Sequence, residues 1–226
     1  MTIFNVITLD GPVGVGKSSV AAELAARLGY RHVDTGAMYR CVTLAAMREG
    51  TPLSDEQALS DLAACCDIRL IYNMDSLTVL LNGEDVSAAI RDPEVSRNTS
   101  AVADAIGVRK RLVSLQRDLG LQGPSILEGR DIGTIVFPDA FWKFYLDAAL
   151  EERTRRRVLQ LEAAGKKVDF QDTMEAIRIR DQRDRARPWG PLAVAPDAIV
   201  IDTTSLSQNQ VVNTILTFIR SGCPNR

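Results

Sequence analysis

Gly11-Pro12-Val13-Gly14-Val15-Gly16-Lys17-Ser18 satisfies the spacing GxxxxGK[ST] in full, and its surroundings decide the fold. Before it, Ile3 to Leu9 is a β-prone, mostly apolar run that ends at Asp10. After it, Val20, Ala21, Leu24, Ala25 and Leu28 fall at helical spacing over Ser18 to Leu28, and Gly29 suits the helix stop. Strand, glycine-rich loop and helix in that order separate a true phosphate loop from a chance match. The chemistry asks for these residue types. Glycines let backbone N–H groups approach phosphate oxygens. The helix N-terminus adds positive potential. Lys17 reaches the β- and γ-phosphates, and the Ser18 hydroxyl ligates Mg²⁺. The motif therefore predicts binding of ATP or GTP by Gly11, Pro12, Val13, Gly14, Val15, Gly16, Lys17, Ser18 and Ser19. No asparagine precedes a lysine, so the Asn-Lys-x-Asp signature that reads guanine in GTPases is missing.

Outward from the loop, strands and helices alternate. Short strands are predicted at Arg31–Val33, Ile126–Leu127, Trp142–Leu146 and Ala198–Ile201. Helices are predicted at Ala37–Glu49, Glu151–Ala164, Gln171–Arg187 and Gln208–Ile219. This pattern implies a parallel sheet flanked by helices. Asp92-Pro93-Glu94 reads as a helix start, with Gly107 breaking that helix and a second one running over Val108–Leu119. Ile68 to Val86 differs: alternating residues, a turn at Asn73-Met74-Asp75-Ser76 and the hairpin pair Asn82-Gly83 predict a small antiparallel meander.

The chain has 226 residues, 46% hydrophobic and 25% charged, with formal net charge -2. That is ordinary globular composition, and it speaks against a nucleic-acid polymer as partner. Cys41, Cys65, Cys66 and Cys223 form no CxxC pair, and His32 is the single histidine, so neither a zinc site nor a Ser-His-Asp triad is expected. The sequence shows no basic leader and no long apolar run, which leads to the expectation of a cytoplasmic protein with no membrane partner.

Arginine carries the remaining chemistry. From Glu151 to Arg187 there are 11 Lys and Arg against 8 Asp and Glu. Arg153, Arg156 and Arg157 share one helix face, as do Arg180, Asp184 and Arg187 with Arg183 at its border. On spacing alone a solvated face laced with ion pairs is the simpler reading. Beside a phosphate loop these cations suit the equatorial oxygens of a transferred phosphoryl group. Glu128, ending an apolar strand, suits a Mg²⁺-bound water.

Three stretches resemble the bacterial cytidylate kinase family of nucleoside monophosphate kinases. They are Asp34-Thr35-Gly36-Ala37-Met38-Tyr39-Arg40, Glu128-Gly129-Arg130-Asp131-Ile132-Gly133-Thr134 with Phe137-Pro138-Asp139-Ala140, and Arg180-Asp181-Gln182-Arg183-Asp184-Arg185 with Pro191-Leu192. The likeness runs from about Ile7 to Ile219. Val13, Val15 and Gly190 depart from the residues common there.

The resemblance implies an α/β P-loop NTPase fold with a parallel five-stranded sheet in order 2-3-1-4-5. It implies one domain over 1–226, with a core of about 1–60 and 105–226. A monophosphate-binding insertion would span about 61–104 and a short lid about 155–172. The implied reaction moves the γ-phosphate of ATP, with Mg²⁺, onto CMP or dCMP. Arg40, Arg130 and Arg187 would hold the acceptor phosphate. Ser100, Arg109 and Asp131 would read cytosine, and Arg180 and Asp184 the sugar hydroxyls, with Thr35 and Tyr39 nearby. The Gly165 region would be the lid, with Arg156 or Arg157 closing over ATP. Lys17, Arg130, Arg157 and Arg187 would be catalytic, and Ser18 and Glu128 (through water) would hold the metal. A monomer is expected. Two alternatives stay open: a kinase for another small acceptor (UMP, AMP, dTMP or shikimate), and a non-catalytic nucleotide-dependent regulatory protein.

Overall fold

The computed structural model describes residues 3–73 and 76–222; Met74, Asp75 and Cys223 lie outside them. Strand β1 (Ile3–Asp10) is the centre of the molecule. Val6, Ile7, Thr8 and Leu9 are sealed from solvent, the signature of a parallel strand covered on both faces. Neighbouring residues feed opposite layers. Val6 joins a core with Val33, Met38, Val42, Leu112 and Leu127. Ile7 and Leu9 join a second with Leu24, Ile126, Phe144, Leu146 and Ile215.

In chain order the elements are α1 (Lys17–Leu28), β2 (Arg31–Asp34), α2 (Thr35–Glu49), α3 (Glu56–Cys65), β3 (Ile68–Asn73), β4 (Ser76–Leu81), β5 (Glu84–Asp85), α4 (Pro93–Asp104), α5 (Ile106–Leu121), β6 (Ser125–Gly129), β7 (Ala140–Asp147), α6 (Leu150–Ala163), α7 (Phe170–Ala186), β8 (Ile199–Asp202) and α8 (Gln208–Ser221). The parallel sheet runs β2-β6-β1-β7-β8, which is the expected order 2-3-1-4-5 when only its strands are numbered. The second sheet, β3-β4-β5, is the expected antiparallel meander. Asn82, at φ 52, turns with Gly83 between β4 and β5. No described helix is long and apolar enough to cross a membrane.

The parallel register aligns the strand ends. Leu9 pairs with Glu128, Asp10 with Gly129, and Asp34 with Glu128. Asp34, Glu128 and Asp10 therefore meet at one edge, the carboxyl edge where open α/β sheets bind ligands.

One expectation needs correction. The break between α4 and α5 falls at Ala105, in extended conformation, and Gly107 lies inside the first turn of α5. Glu56 of α3 caps this helix, its Oε1 accepting from the Ile106 N–H at 2.8 Å. A side chain at position 107 would overlap Ser60, so this glycine serves close packing of α3 on α5. Helix α3 itself is absent from the sequence reading, although its signal, Asp55 accepting from the Ala58 N–H at its start, is an ordinary N-cap. Within the phosphate loop, the Val15 side chain is buried in the second core with Val20 and Val211.

Candidate active site

The loop between β1 and α1 is built by close backbone approach. Gly11 sits at φ 148, and a Cβ there would overlap the Leu146 carbonyl oxygen of β7. Helix α1 begins after Gly16, with no side-chain cap and no acid in its first turn. Its N-terminal amides and dipole are left to an anion. Lys17 is buried, and its Nζ donates to the Pro12 carbonyl at 2.7 Å. Burial, with Arg130 nearby, pushes the Lys17 ammonium well below its ordinary pKa. An anion at that point relieves both effects.

The metal-type donors are in place. Ser18 Oγ donates to Glu128 Oε2 at 2.8 Å. The other carboxylate oxygen, Oε1, lies 3.0 Å from His32 Nε2, so the lone histidine backs the acid of the site. Burial works against a charged His32, but the adjoining Glu128 outweighs it and raises the imidazole above its usual pKa. Thr35 Oγ1 donates to the Glu128 carbonyl at 2.6 Å and ties α2 to the same strand end. One hydroxyl and one carboxylate, open to a cleft, fit Mg²⁺, which keeps several waters and takes its remaining oxygens from phosphates.

The cleft encloses about 700 Å³. Lys17, Arg40, Arg109, Arg130, Arg156, Arg157, Arg180 and Arg187 line it against Asp34, Glu128, Asp131, Glu152 and Asp184, so cations outnumber carboxylates. Ser18, Ser19, Thr35, Tyr39 and Ser100 line it as well. Gly11 and Pro12 support the loop from behind and do not line it. The charges depress one another. Burial and Arg130 lower Arg180 to about 10, and burial and Arg40 lower Arg157. Among the described residues no carboxylate pairs with Arg180 or Arg157, and Arg180 Nε is buried without a partner. A cleft with this surplus is suited to polyanions.

The arginine helices separate into supports and lining. On α6, Arg153 turns inward. It pairs with buried Asp181 of α7 and donates to the carbonyls of Ala148 at 3.0 Å and Val13 at 3.2 Å, bracing the loop. Arg156 donates to the Thr203 carbonyl at 2.6 Å and to Glu152 at 3.0 Å. Arg157 donates to Gln160 at 2.6 Å. On α7, Asp184 is flanked by Arg130 at 2.9 Å and Arg187 at 2.6 Å. Arg187 also bonds Asp104 of α4 at 2.8 Å, as does Arg183 at 3.2 Å. The α7 face is thus a cross-linked network, and the solvated-face reading does not describe it. Arg40 is held by Asp34 at 2.8 Å, and Asp34 also caps α2.

Asp131 pairs with Arg109, and Arg130 with Asp184, so adjacent residues on one turn serve different partners. Burial pushes the Asp131 carboxyl up against the opposing pull of Arg109. Asp10 accepts from the N–H groups of Ile132 at 2.9 Å and Gly133 at 2.7 Å, which pins the turn carrying both residues. A wide helical turn over Ile132–Val136 follows. Sequence reasoning names neither Asp10, Asp34, Asp104 nor Asp181 as site residues. Their signal, carboxylates at strand ends and on facing helices, acquires meaning only when the elements are assembled.

Comparison with known proteins follows the same lines. A family model described as cytidylate kinase matches residues 7–221. A cytidylate kinase of Syntrophotalea carbinolica is 48% identical over 211 residues, covering 93% of this chain and 90% of the relative. One of Geobacter sulfurreducens is 46% identical over 215 residues, covering 95% and 92%. Among solved structures, a gluconokinase of Sinorhizobium meliloti superposes with TM-score 0.52 at 12% identity, covering 100% of this chain and 97% of its own, a likeness of fold alone. The loop, the acid-ended strands and the arginine network all lie within the matched residues 7–221, and the chain is a member of the cytidylate kinase family.

Proposed function

We propose that this enzyme transfers the γ-phosphate of ATP to CMP or dCMP. The observation that carries the reading is the Arg109–Asp131 pair, buried at the cleft wall and separated along the chain from the phosphate loop, with Arg130 and the Asp184 network beside it. Val13 to Ser19, with Arg156 and Arg157, take the ATP phosphates, and Gly11 and Pro12 support the loop from behind. Arg40, Arg130 and Arg187 take the acceptor phosphate. Arg109, Asp131 and Ser100 face cytosine, whose exocyclic amine donates where Asp131 accepts. Arg180 and Asp184 address the ribose, with Thr35 and Tyr39 at the same wall.

An acceptor phosphate oxygen attacks the γ-phosphorus. The bond from that phosphorus to the β,γ-bridging oxygen breaks, and its electron pair leaves with ADP. The acceptor is already an anion, so no protein base is needed. Lys17, Arg130, Arg157 and Arg187 neutralise charge that develops on the equatorial oxygens. Ser18 and Glu128 (through water) would hold Mg²⁺, which would supply Lewis-acid charge neutralisation. A coupled ADP-release assay over CMP, dCMP, UMP, AMP, dTMP and shikimate tests the reading. Turnover fastest with CMP or dCMP is expected, and indifference to every monophosphate would overturn it.

The β3-β4-β5 sheet with its neighbouring helices serves as the monophosphate-binding insertion, and the turn at 164–169 as the tip of the lid. Hydrogen exchange is expected to show protection of the meander by CMP and of residues 165–170 by ATP. Identical patterns for both ligands would exclude this division.

A further inference from the structure

The Arg109–Asp131 pair is covered by the segment that follows α7. Arg109 is 2% exposed. Its Nη1 donates to the Ala103 carbonyl at 3.2 Å, and its Nη2 to the Gly190 carbonyl at 3.1 Å and to Asp131. These partners restrain the guanidinium within its plane. Its central carbon also lies over two aromatic rings, 5.6 Å from the centroid of Tyr39 and 5.7 Å from that of Trp189. The rings restrain it out of plane through the attraction of a cation for an aromatic face. Gly190, at φ 65, lets the chain pass this closely, because a Cβ there would overlap both Arg109 Nη2 and Asp131 Oδ2. The Leu192 N–H then returns to the Asp184 carbonyl at 2.8 Å, linking the segment to the arginine network.

We infer that Trp189 is a positioning residue for base choice, holding Arg109 and through it Asp131 at the position where cytosine is told from uracil. The inference rests on the cytidine reading above. Discrimination by a carboxylate depends on facing a donor in one base and a carbonyl in the other, and an acceptor free to swing away loses that penalty. An aliphatic side chain at 189 covers surface but offers no ring to the cation.

The test compares kcat/KM for CMP and UMP in the full-length wild type, Trp189→Leu, Trp189→Phe and Gly190→Ala, each with a thermal melt. Trp189→Leu is expected to lose roughly tenfold on CMP and less on UMP, so that the ratio narrows. Trp189→Phe restores most of the ratio, and Gly190→Ala, which pushes into the pair, narrows it again. A second readout does not depend on the leucine variant folding. The chain has 2 tryptophans, so Trp142→Phe leaves Trp189 as the sole tryptophan, and its selectively excited fluorescence is expected to respond more to CMP than to UMP. A wild type without CMP preference sinks the cytidine reading and this role with it. A wild-type preference that survives unchanged in folded Trp189→Leu, or Trp189 emission indifferent to CMP, sinks the role alone.

Discussion

The two ends of the cleft are built in opposite ways. The phosphate-loop end is one contiguous stretch, Gly11 to Ser19, joined to the strand before it and the helix after it. Its working groups are mostly backbone amides, and their geometry follows from a few glycines and a helix start. The opposite end is assembled from β2, α2, α4, α5, the turn after β6 and α7, through side-chain pairs such as Arg40–Asp34, Arg109–Asp131, Arg130–Asp184 and Arg187–Asp104. The first is local, and its shape is held by Gly11 and Gly14, which leave no room for a side chain. The second is a network in which Arg109, Arg130 and Arg187 are each aimed by a carboxylate from another element. Phosphate presents the same anion in every nucleotide, whereas a base must be told from its analogues, and that discrimination needs groups converging from several directions.

The largest effect is expected where the local end depends on a single side chain. Lys17→Ala keeps its fold and loses about 100-fold or more in kcat, the scale for removing one charge-stabilising group at the transition state. Phosphorylation of CMP by the purified variant at near wild-type rate would remove Lys17 from the chemistry.

At the networked end, neighbouring residues should behave differently. Asp131→Asn is expected to lose CMP activity and to narrow a CMP-over-UMP preference of at least about tenfold in kcat/KM. Arg130→Ala should lower both substrates in proportion, since both carry the same phosphate. Asp131 does not orient Arg130 by an ion pair; its partner is Arg109. If both variants change the two bases equally, the division of labour on this turn is wrong.

The last effect, on stability rather than on rate, joins the two ends. Asp10 closes β1 just before the loop and pins the turn after Arg130 and Asp131. Burial raises its carboxyl from 3.8 to about 7, against the opposing pull of the Gly133 and Ile132 amides. The folded state therefore holds a proton that the unfolded chain releases. This contribution is fully present below pH about 4 and lost as pH rises through about 7. The stability of the wild type relative to Asp10→Asn should fall across that window, by an amount on the order of a few kcal/mol. Urea unfolding at several pH values measures it, and parallel pH profiles for the two proteins would show that Asp10 titrates alike folded and unfolded.

Much of the fold is legible in the amino-acid sequence. The motif between strand and helix, the alternation of elements and Asn82-Gly83 predict the parallel sheet and its meander, because period, turn chemistry and capping are local properties of the chain. The family resemblance nominates Arg109, Asp131, Arg130 and Asp184, and the fold brings all of them to one cleft. Helix α3 and the Ala105 break are not legible in the same way, since the start of α5 is capped by Glu56, some fifty residues away.

The amino-acid sequence by itself determined the phosphate loop, the class of fold and the family, since these rest on contiguous residues and their order. Only the tertiary structure decided which arginines support and which face the ligand. Arg153 and Arg157 are one turn apart on the same helix, yet one is sealed against Asp181 and the other lines the cleft. It also decided that His32 backs Glu128 and that Trp189 covers Arg109. The physical reason is that a charge takes its role from what surrounds it. Burial and the nearest opposite charge come from elements distant in the chain, and they exist only once the sheet has aligned its strand ends and the helices have packed across them.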